Sequence, residues 1–274
     1  MIPQAGIVAW RQVAPWADDG MVEQDLVLSR ALIEIFSDSR LAEALAFRGG
    51  TALHKLVLSP PIRYSEDIDL VQVHPGPIGG LLDRIRSQLD WLGEPKRDQT
   101  EANVTLLYRF ESEIPPVRRL RLKIEIQTRE HFSVYGRVTR PLSVNSRWFD
   151  GSAEILTFEV DELLATKLRA LYQRRSGRDL FDLWEARRRV KIDPGRVVTA
   201  FQTYLERQGL KITRAEFEQN LAAKTRNKAF LADVKPMLAP GVTYDPLQAL
   251  ELVHRDFVER LPGAPWKGKK DRKK

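Results

Sequence analysis

The chain has no cysteine. A disulfide scaffold, a zinc–thiolate centre and a cysteine nucleophile are therefore excluded. Histidine is nearly as scarce: His54, His74, His131 and His254 are the full set and form no cluster with metal-ligand spacing. Any metal must then be a hard cation held by oxygen. No apolar stretch approaches the roughly 20 residues that a bilayer crossing needs. The N-terminus lacks the basic start and apolar run of a secretory leader, and Asp18 and Asp19 arrive early. The chain reads as cytoplasmic, with no membrane partner, no internal repeat and no low-complexity stretch before its tail.

Charge is plentiful. Lys and Arg number 44 against 37 Asp and Glu, a formal net charge of +7, which favours an acidic partner. Six of those cations fall in the last eight residues, Lys267 to Lys274, so the body is only mildly basic. Such a tail reads equally as a solvated end or a functional arm. At 274 residues and 43% hydrophobic composition, the chain can build one large domain or two modest ones.

Apolar spacing at Val22, Leu26, Leu32 and Ile35 predicts a helix over 20–36, followed by helices over 40–46 and 52–58, the last stopped by Pro60-Pro61. Residues 65–73 alternate as a strand, 78–92 read as a helix, 93–102 as a polar loop and 104–110 as a strand. The clearest strand is 119–128: Leu120, Leu122, Ile124 and Ile126 point one way, Arg121, Lys123, Glu125 and Gln127 the other. Residues 139–152 carry turn formers and little periodicity, which places a boundary there between domains over 1–150 and 151–274. Beyond it, helices are expected at about 160–174, 178–190, 195–208, 213–222 and 245–260. The fold class expected is α+β, a mixed sheet with helices followed by a helical part.

Asp67-Ile68-Asp69 carries the first chemical signal. On a strand the two carboxylates share a face while Ile68 enters the core. Such a pair makes an oxygen site for a divalent cation, as phosphoryl transfer requires. Two solvated acids would have the same spelling. Gly49-Gly50-Thr51 precedes a helix start, where glycines admit a phosphate and free N–H groups face it; a simple turn is the plainer reading. Glu125, on the polar side of its strand, is a candidate third metal ligand or a general base, or an exposed acid paired with Lys123 or Arg121. Lys167 shares a helical row with Leu163 and Leu171, so it is either aimed at an anion or snorkelling past a core edge. Asp179 suits the start of its helix, and Asp182 has the spacing of an intrahelical pair with Arg178. The arginine-rich run 174–189 reads as an RNA-backbone contact or as a solvated helix face.

Taken together, FRGGTALHKL (47–56), RYSEDIDL (63–70), KIEI (123–126), ELLATKLRAL (162–171) and RDLFDL (178–183) resemble the nucleotidyltransferase toxins of the AbiEii/AbiGii type, whose relatives include the mycobacterial MenT toxins. The resemblance spans roughly 45–185. It implies a polymerase-β-like nucleotidyltransferase domain and a helical domain that contributes Lys167 and Asp182 to the site. Gly49, Gly50 and Thr51 would hold a triphosphate, assisted by Ser65, and Arg63 is a further nucleotide-binding candidate. Asp67 and Asp69 would bind Mg²⁺ or Mn²⁺, with Glu125 in the third-acid position. Lys167 would contact the nucleotide phosphates, and Asp182, with Asp179, would position Lys167 or the base. The interval between Gly50 and Asp67 is long for the wider superfamily. The function implied is a toxin of a toxin–antitoxin or phage-defence pair that moves NMP from NTP to an RNA acceptor, the tRNA 3′ end, blocking translation, with a cognate antitoxin as partner. Transfer to a protein or small molecule, and a non-catalytic binding module, are the rival readings.

Overall fold

The alternation of Arg119–Gln127 becomes the strand around which a mixed sheet is arranged. The computed structural model describes residues 2–268, and these divide into two compact units: Met1–Glu159 with Met237–Val242, and Val160–Pro236 with Thr243–Lys274. The basic tail expected from about Lys267 lies, from residue 269 on, outside the described residues.

In the first unit the chain runs α1 (Gln4–Trp10), α2 (Asp19–Ser37), α3 (Ser39–Ala44), β1 (Leu45–Arg48), α4 (Gly49–Leu56), β2 (Asp67–Gln72), α5 (Gly79–Gln88), β3 (Lys96–Gln99), β4 (Asn103–Glu111), β5 (Arg119–Gln127), β6 (Arg137–Asn145) and β7 (Asp150–Phe158). The seven strands order as β3-β4-β5-β2-β1-β7-β6. β2 pairs parallel with β5 and antiparallel with β1, so the strand bearing the aspartates lies centrally. Val22, Leu26, Leu32 and Ile35 of α2 are buried as their spacing predicts, in one core with Ile68, Leu122, Ile124 and Ile126. Met237–Val242 returns to this unit: Arg63 bridges Leu238, and the Tyr64 and Ala239 N–H groups donate to Met237 and Ile62.

The second unit is helical: α6 (Val160–Gln173), α7 (Gly177–Arg189), α8 (Pro194–Glu206), α9 (Arg214–Thr225), α10 (Lys228–Ala232) and α11 (Pro246–Asp256). Lys224 of α9 is 4% exposed. Its ammonium donates to the carbonyls of Leu171 and, at 2.7 Å, Tyr172, satisfying the open end of α6.

Three expectations need correction. Residues 139–152, read as a turn-rich boundary, belong to the antiparallel pair β6–β7, and the division between units falls at Glu159/Val160. β6 is an edge strand, which tolerates Pro141 and needs little alternation because much of it is wet. The loop at 93–102 contains β3, another edge strand, exposed along its whole length. The helix expected over 40–46 ends at Ala44, and Leu45–Arg48 is a strand too short to show a period.

Candidate active site

The site begins where β1 turns into α4. Arg48 stands in register with Asp69 on the neighbouring β2. Gly49 follows with φ +86°, and a Cβ there would lie 2.1 Å from Asp69 Oδ2. Glycine is therefore required twice, for the left-handed backbone and for the close approach of the carboxylate. Arg48 offers no side-chain cap to the first turn of α4. The helix thus opens on Gly49 and Gly50, its positive end beside Asp69, in the arrangement that receives anions.

Two ties hold α4 in place. At its start the Thr51 hydroxyl donates to the Asp67 carbonyl at 2.6 Å and lies 2.8 Å from Ser65 Oγ. Thr51 is 1% exposed, and its hydroxyl joins the glycine turn to the acid strand. Further along, Lys55 pairs with Asp25 at 2.7 Å and reaches Ser29 at 2.9 Å. Trp10 and Trp16 also donate to the Asp25 carboxylate, which leaves this buried acid well satisfied. Arg63 is 2% exposed and donates to the Tyr64 carbonyl at 2.8 Å.

Asp67 and Asp69 are half-buried on one side of β2, with Ile68 fully buried on the other. Asp67 is pushed up to about 6, first by burial and then by the neighbouring Asp69 charge. Its Oδ1 is buried and accepts no hydrogen bond among the described residues. A buried, unsatisfied carboxylate oxygen beside a second carboxylate costs free energy. A hard divalent cation relieves both the missing contact and the repulsion, so these two residues fit Mg²⁺ or Mn²⁺.

Glu125 departs from the expected three-acid set. Parallel pairing puts it beside Asp69, and Lys123 beside Asp67. Glu125 closes on Lys123 at 2.6 Å. Partial burial works against the charge on Lys123, but the bond to Glu125 and the attraction of Asp67 and Asp69 outweigh it and raise the ammonium above its usual value. Among the described residues no three His, Cys, Asp or Glu side chains are gathered so as to hold a metal ion. The side chain that intervenes, Lys123, was visible in the alternation, two residues from Glu125 on the same face. Arg48 was not singled out; its guanidinium pairs with Glu130 at 2.7 Å, a contact 82 residues away in sequence that no local pattern signals.

In the metal-free protein, Asp67 has a pH signature. Its folded value of about 6 exceeds the unfolded value of about 3.9, so the folded state binds the proton more tightly. Stability contributed by the protonated form is full below about pH 4 and is lost as the pH rises to about 6. Urea unfolding of the wild type relative to Asp67→Asn should show that loss across this window and a plateau above it. A difference independent of pH would remove the buried-carboxylate account.

In the second unit, Lys167 of α6 lies 2.8 Å from Asp182 and 3.3 Å from Asp179. Both aspartates are 0% exposed and Lys167 is 6% exposed. Arg174 adds a two-pronged contact to Asp179 at 2.7 and 2.8 Å. Asp182 is thus paired with Lys167, and Arg178 reaches Asp233. Much of the arginine-rich run 174–189 is spent the same way: Arg187 pairs with Asp256, and Arg188 and Arg189 with Glu185.

Among solved structures, the chain is similar to the nucleotidyltransferase toxin MenT4 of Mycobacterium tuberculosis, with TM-score 0.67 and 16% identity over 96% of this chain and 91% of that one. It is also similar to JHP933 of Helicobacter pylori, with TM-score 0.54 and 17% identity over 88% of this chain and 95% of that one. A third likeness is to a putative nucleotidyltransferase of H. pylori, with TM-score 0.50 and 17% identity over 90% and 100%. At such identities the likeness speaks for the fold. No curated protein matches the sequence. No helix among the described residues is long and apolar enough to cross a membrane. The family described as "Nucleotidyl transferase AbiEii toxin, Type IV TA system" matches residues 30–252, which include the glycine turn, both aspartates, Glu125 and the Lys167 cluster. The chain belongs to the AbiEii family of nucleotidyltransferase toxins of type IV toxin–antitoxin systems.

Proposed function

We propose that this chain transfers NMP from an NTP to a hydroxyl of RNA, with the tRNA 3′ end as the acceptor, and that the centre lies at the glycine turn and the Asp67–Asp69 pair. One observation carries the reading: a buried Asp67 oxygen with no partner, beside Asp69, under a glycine turn that opens a helix. A divalent cation held by Asp67 and Asp69 would neutralise charge on the phosphates as they react. The start of α4 receives the triphosphate through its N–H groups and dipole. The acceptor oxygen forms its bond to the α-phosphorus while the bond from that phosphorus to the bridging oxygen breaks, and pyrophosphate leaves. The hydroxyl proton passes to a carboxylate on this face, for which Glu125 is the candidate. Lys167, paired by Asp179 and Asp182, keeps the phosphate-contacting role that the family resemblance gives it. Such chemistry is mostly positioning and electrostatics. Blocking the tRNA end would stop aminoacylation, and a cognate antitoxin would hold the activity in check.

The test is incubation of the full chain with Mg²⁺, each α-labelled NTP in turn and total bacterial RNA, with a parallel sample in excess EDTA. Label is expected in RNA of tRNA size and is expected to vanish with EDTA. Label on protein, or transfer that survives EDTA, would overturn the reading.

A further inference from the structure

The arginine-rich run of α7 is largely ion-paired within its own unit, yet free cations gather elsewhere. Strand register brings them together. On β4 and β5 the odd-numbered residues face outward, because Val104, Leu106, Tyr108, Leu122, Ile124 and Ile126 are all buried on the other side. Arg109 stands directly opposite Arg121, and Arg119 opposite Glu111. Lys96 of β3 stands opposite Leu107, the outward neighbour of Arg109 along β4. This is the face that carries Asp67 and Asp69, since Asp67 is in register with Lys123. Arg121 is two residues, about 7 Å, along β5 from Lys123.

Two arginines directly opposed across an antiparallel pair repel and weaken the sheet. The remaining charges do little to relieve them. Arg121 reaches Glu66 at 3.3 Å with its side chain 58% exposed. Arg109, Arg119 and Lys96 are exposed and make no ion pair among the described residues. A cluster that costs stability and leaves Arg109, Arg119 and Lys96 without an ion pair among the described residues is suited to an external polyanion. Its spacing along the strands, on the order of 7 Å between successive outward residues, matches the successive phosphates of a nucleic-acid chain.

We infer that the outward face of β3, β4 and β5, centred on Arg109 and Arg121, is the seat of the RNA acceptor's phosphate backbone, leading it towards Asp67 and Asp69. The inference rests on the transfer reading only in taking RNA as the acceptor. Arginine suits this task because its planar fork grips phosphate with two hydrogen bonds. Lys123 closes the cluster at the acidic end, where Glu125 pairs with it.

The experiment is fluorescence anisotropy of labelled bacterial tRNA titrated with the full chain, without nucleotide, across a range of salt. Arg109→Glu/Arg121→Glu should weaken binding by about tenfold or more and lower the salt slope by about 0.7–0.9 for each phosphate that is no longer neutralised. Mg²⁺-dependent NTP binding, measured by calorimetry, should stay at the wild-type level. Arg109→Thr, which removes a phosphate-gripping cation together with the repulsion, should weaken RNA binding while holding or raising the urea midpoint, so loss of folding cannot explain the result. Arg188→Glu on α7 should leave RNA binding within about twofold, because that surface grips no phosphate of the acceptor. Unchanged binding in the double variant, loss in Arg188→Glu alone, or no tRNA binding by the wild type would each overturn the assignment. If the double variant loses RNA while the wild type labels none, this surface stands and the transfer reading falls.

Discussion

Asp69→Ala should lower nucleotide transfer by about 10³-fold or more, and Gly49→Ala should produce a loss on the order of 10²-fold with Asp69 still present. The first effect follows from the proposed cation site. Half of its carboxylate pair disappears, and several kcal/mol of charge stabilisation go with it, at about 1.4 kcal/mol for each factor of ten. The second follows from space. A Cβ on Gly49 would meet Asp69 Oδ2 at 2.1 Å, and the backbone there has φ +86°. The carboxylate must move away from the turn, and the strained backbone adds about 1–3 kcal/mol of instability. The two changes interact in a defined way. In the Asp69→Ala background most of the clash is gone, so Gly49→Ala should cost only its backbone strain, and the unfolding energies should not add. Urea unfolding of the four proteins, with Mn²⁺ titration as a readout apart from activity, checks this. Strict additivity would show that the glycine serves the backbone alone, and full transfer by Asp69→Ala would defeat the mechanism.

Lys167→Met should destabilise the chain by about 3–5 kcal/mol. Lys167 is the cation 2.8 Å from Asp182, and that carboxylate is fully buried. Removing it takes a close cation from a buried carboxylate in a medium that solvates charge poorly. Arg174 still faces Asp179, so the damage centres on Asp182. Replacing both partners, as in Lys167→Met/Asp182→Asn, should recover much of the loss, because a neutral buried pair carries no desolvation penalty of this size. The double variant should fold and still transfer poorly if Lys167 also contacts phosphate, which separates the structural role from the chemical one. A single variant within about 1 kcal/mol of wild type in urea would mean that the buried pair carries little of the second unit's stability.

Much of the framework was legible along the chain. The period of α2 and the alternation of β5 were clear because each buries one face against a large core, and burial is what imposes apolar spacing. The two aspartates were legible for the same reason: Ile68 between them had to be buried, so its neighbours had to face out. Edge strands were illegible. β3 is wet on both faces, and β6 carries Pro141 and polar residues at little cost. Neither is pressed by the core into a pattern. The bond from the Thr51 hydroxyl to a carbonyl sixteen residues away was likewise illegible, because no local pattern signals it.

By itself, then, the sequence determined the family, the α2 helix and the β5 strand, the acid pair on β2 and the glycines that open α4. All of these are local: a period, a spacing or a residue type that one backbone conformation demands. Tertiary structure alone decided which charges are spent and which are free. The dense run of arginines on α7 finds acids at Glu185 and Asp256, while Arg109 and Arg121, twelve positions apart in the chain, meet face to face through strand register. Strand register puts Glu125 beside Asp69, where it closes on Lys123 at 2.6 Å. Electrostatic energy depends on distance through space and on burial, and neither is written in the linear order of residues.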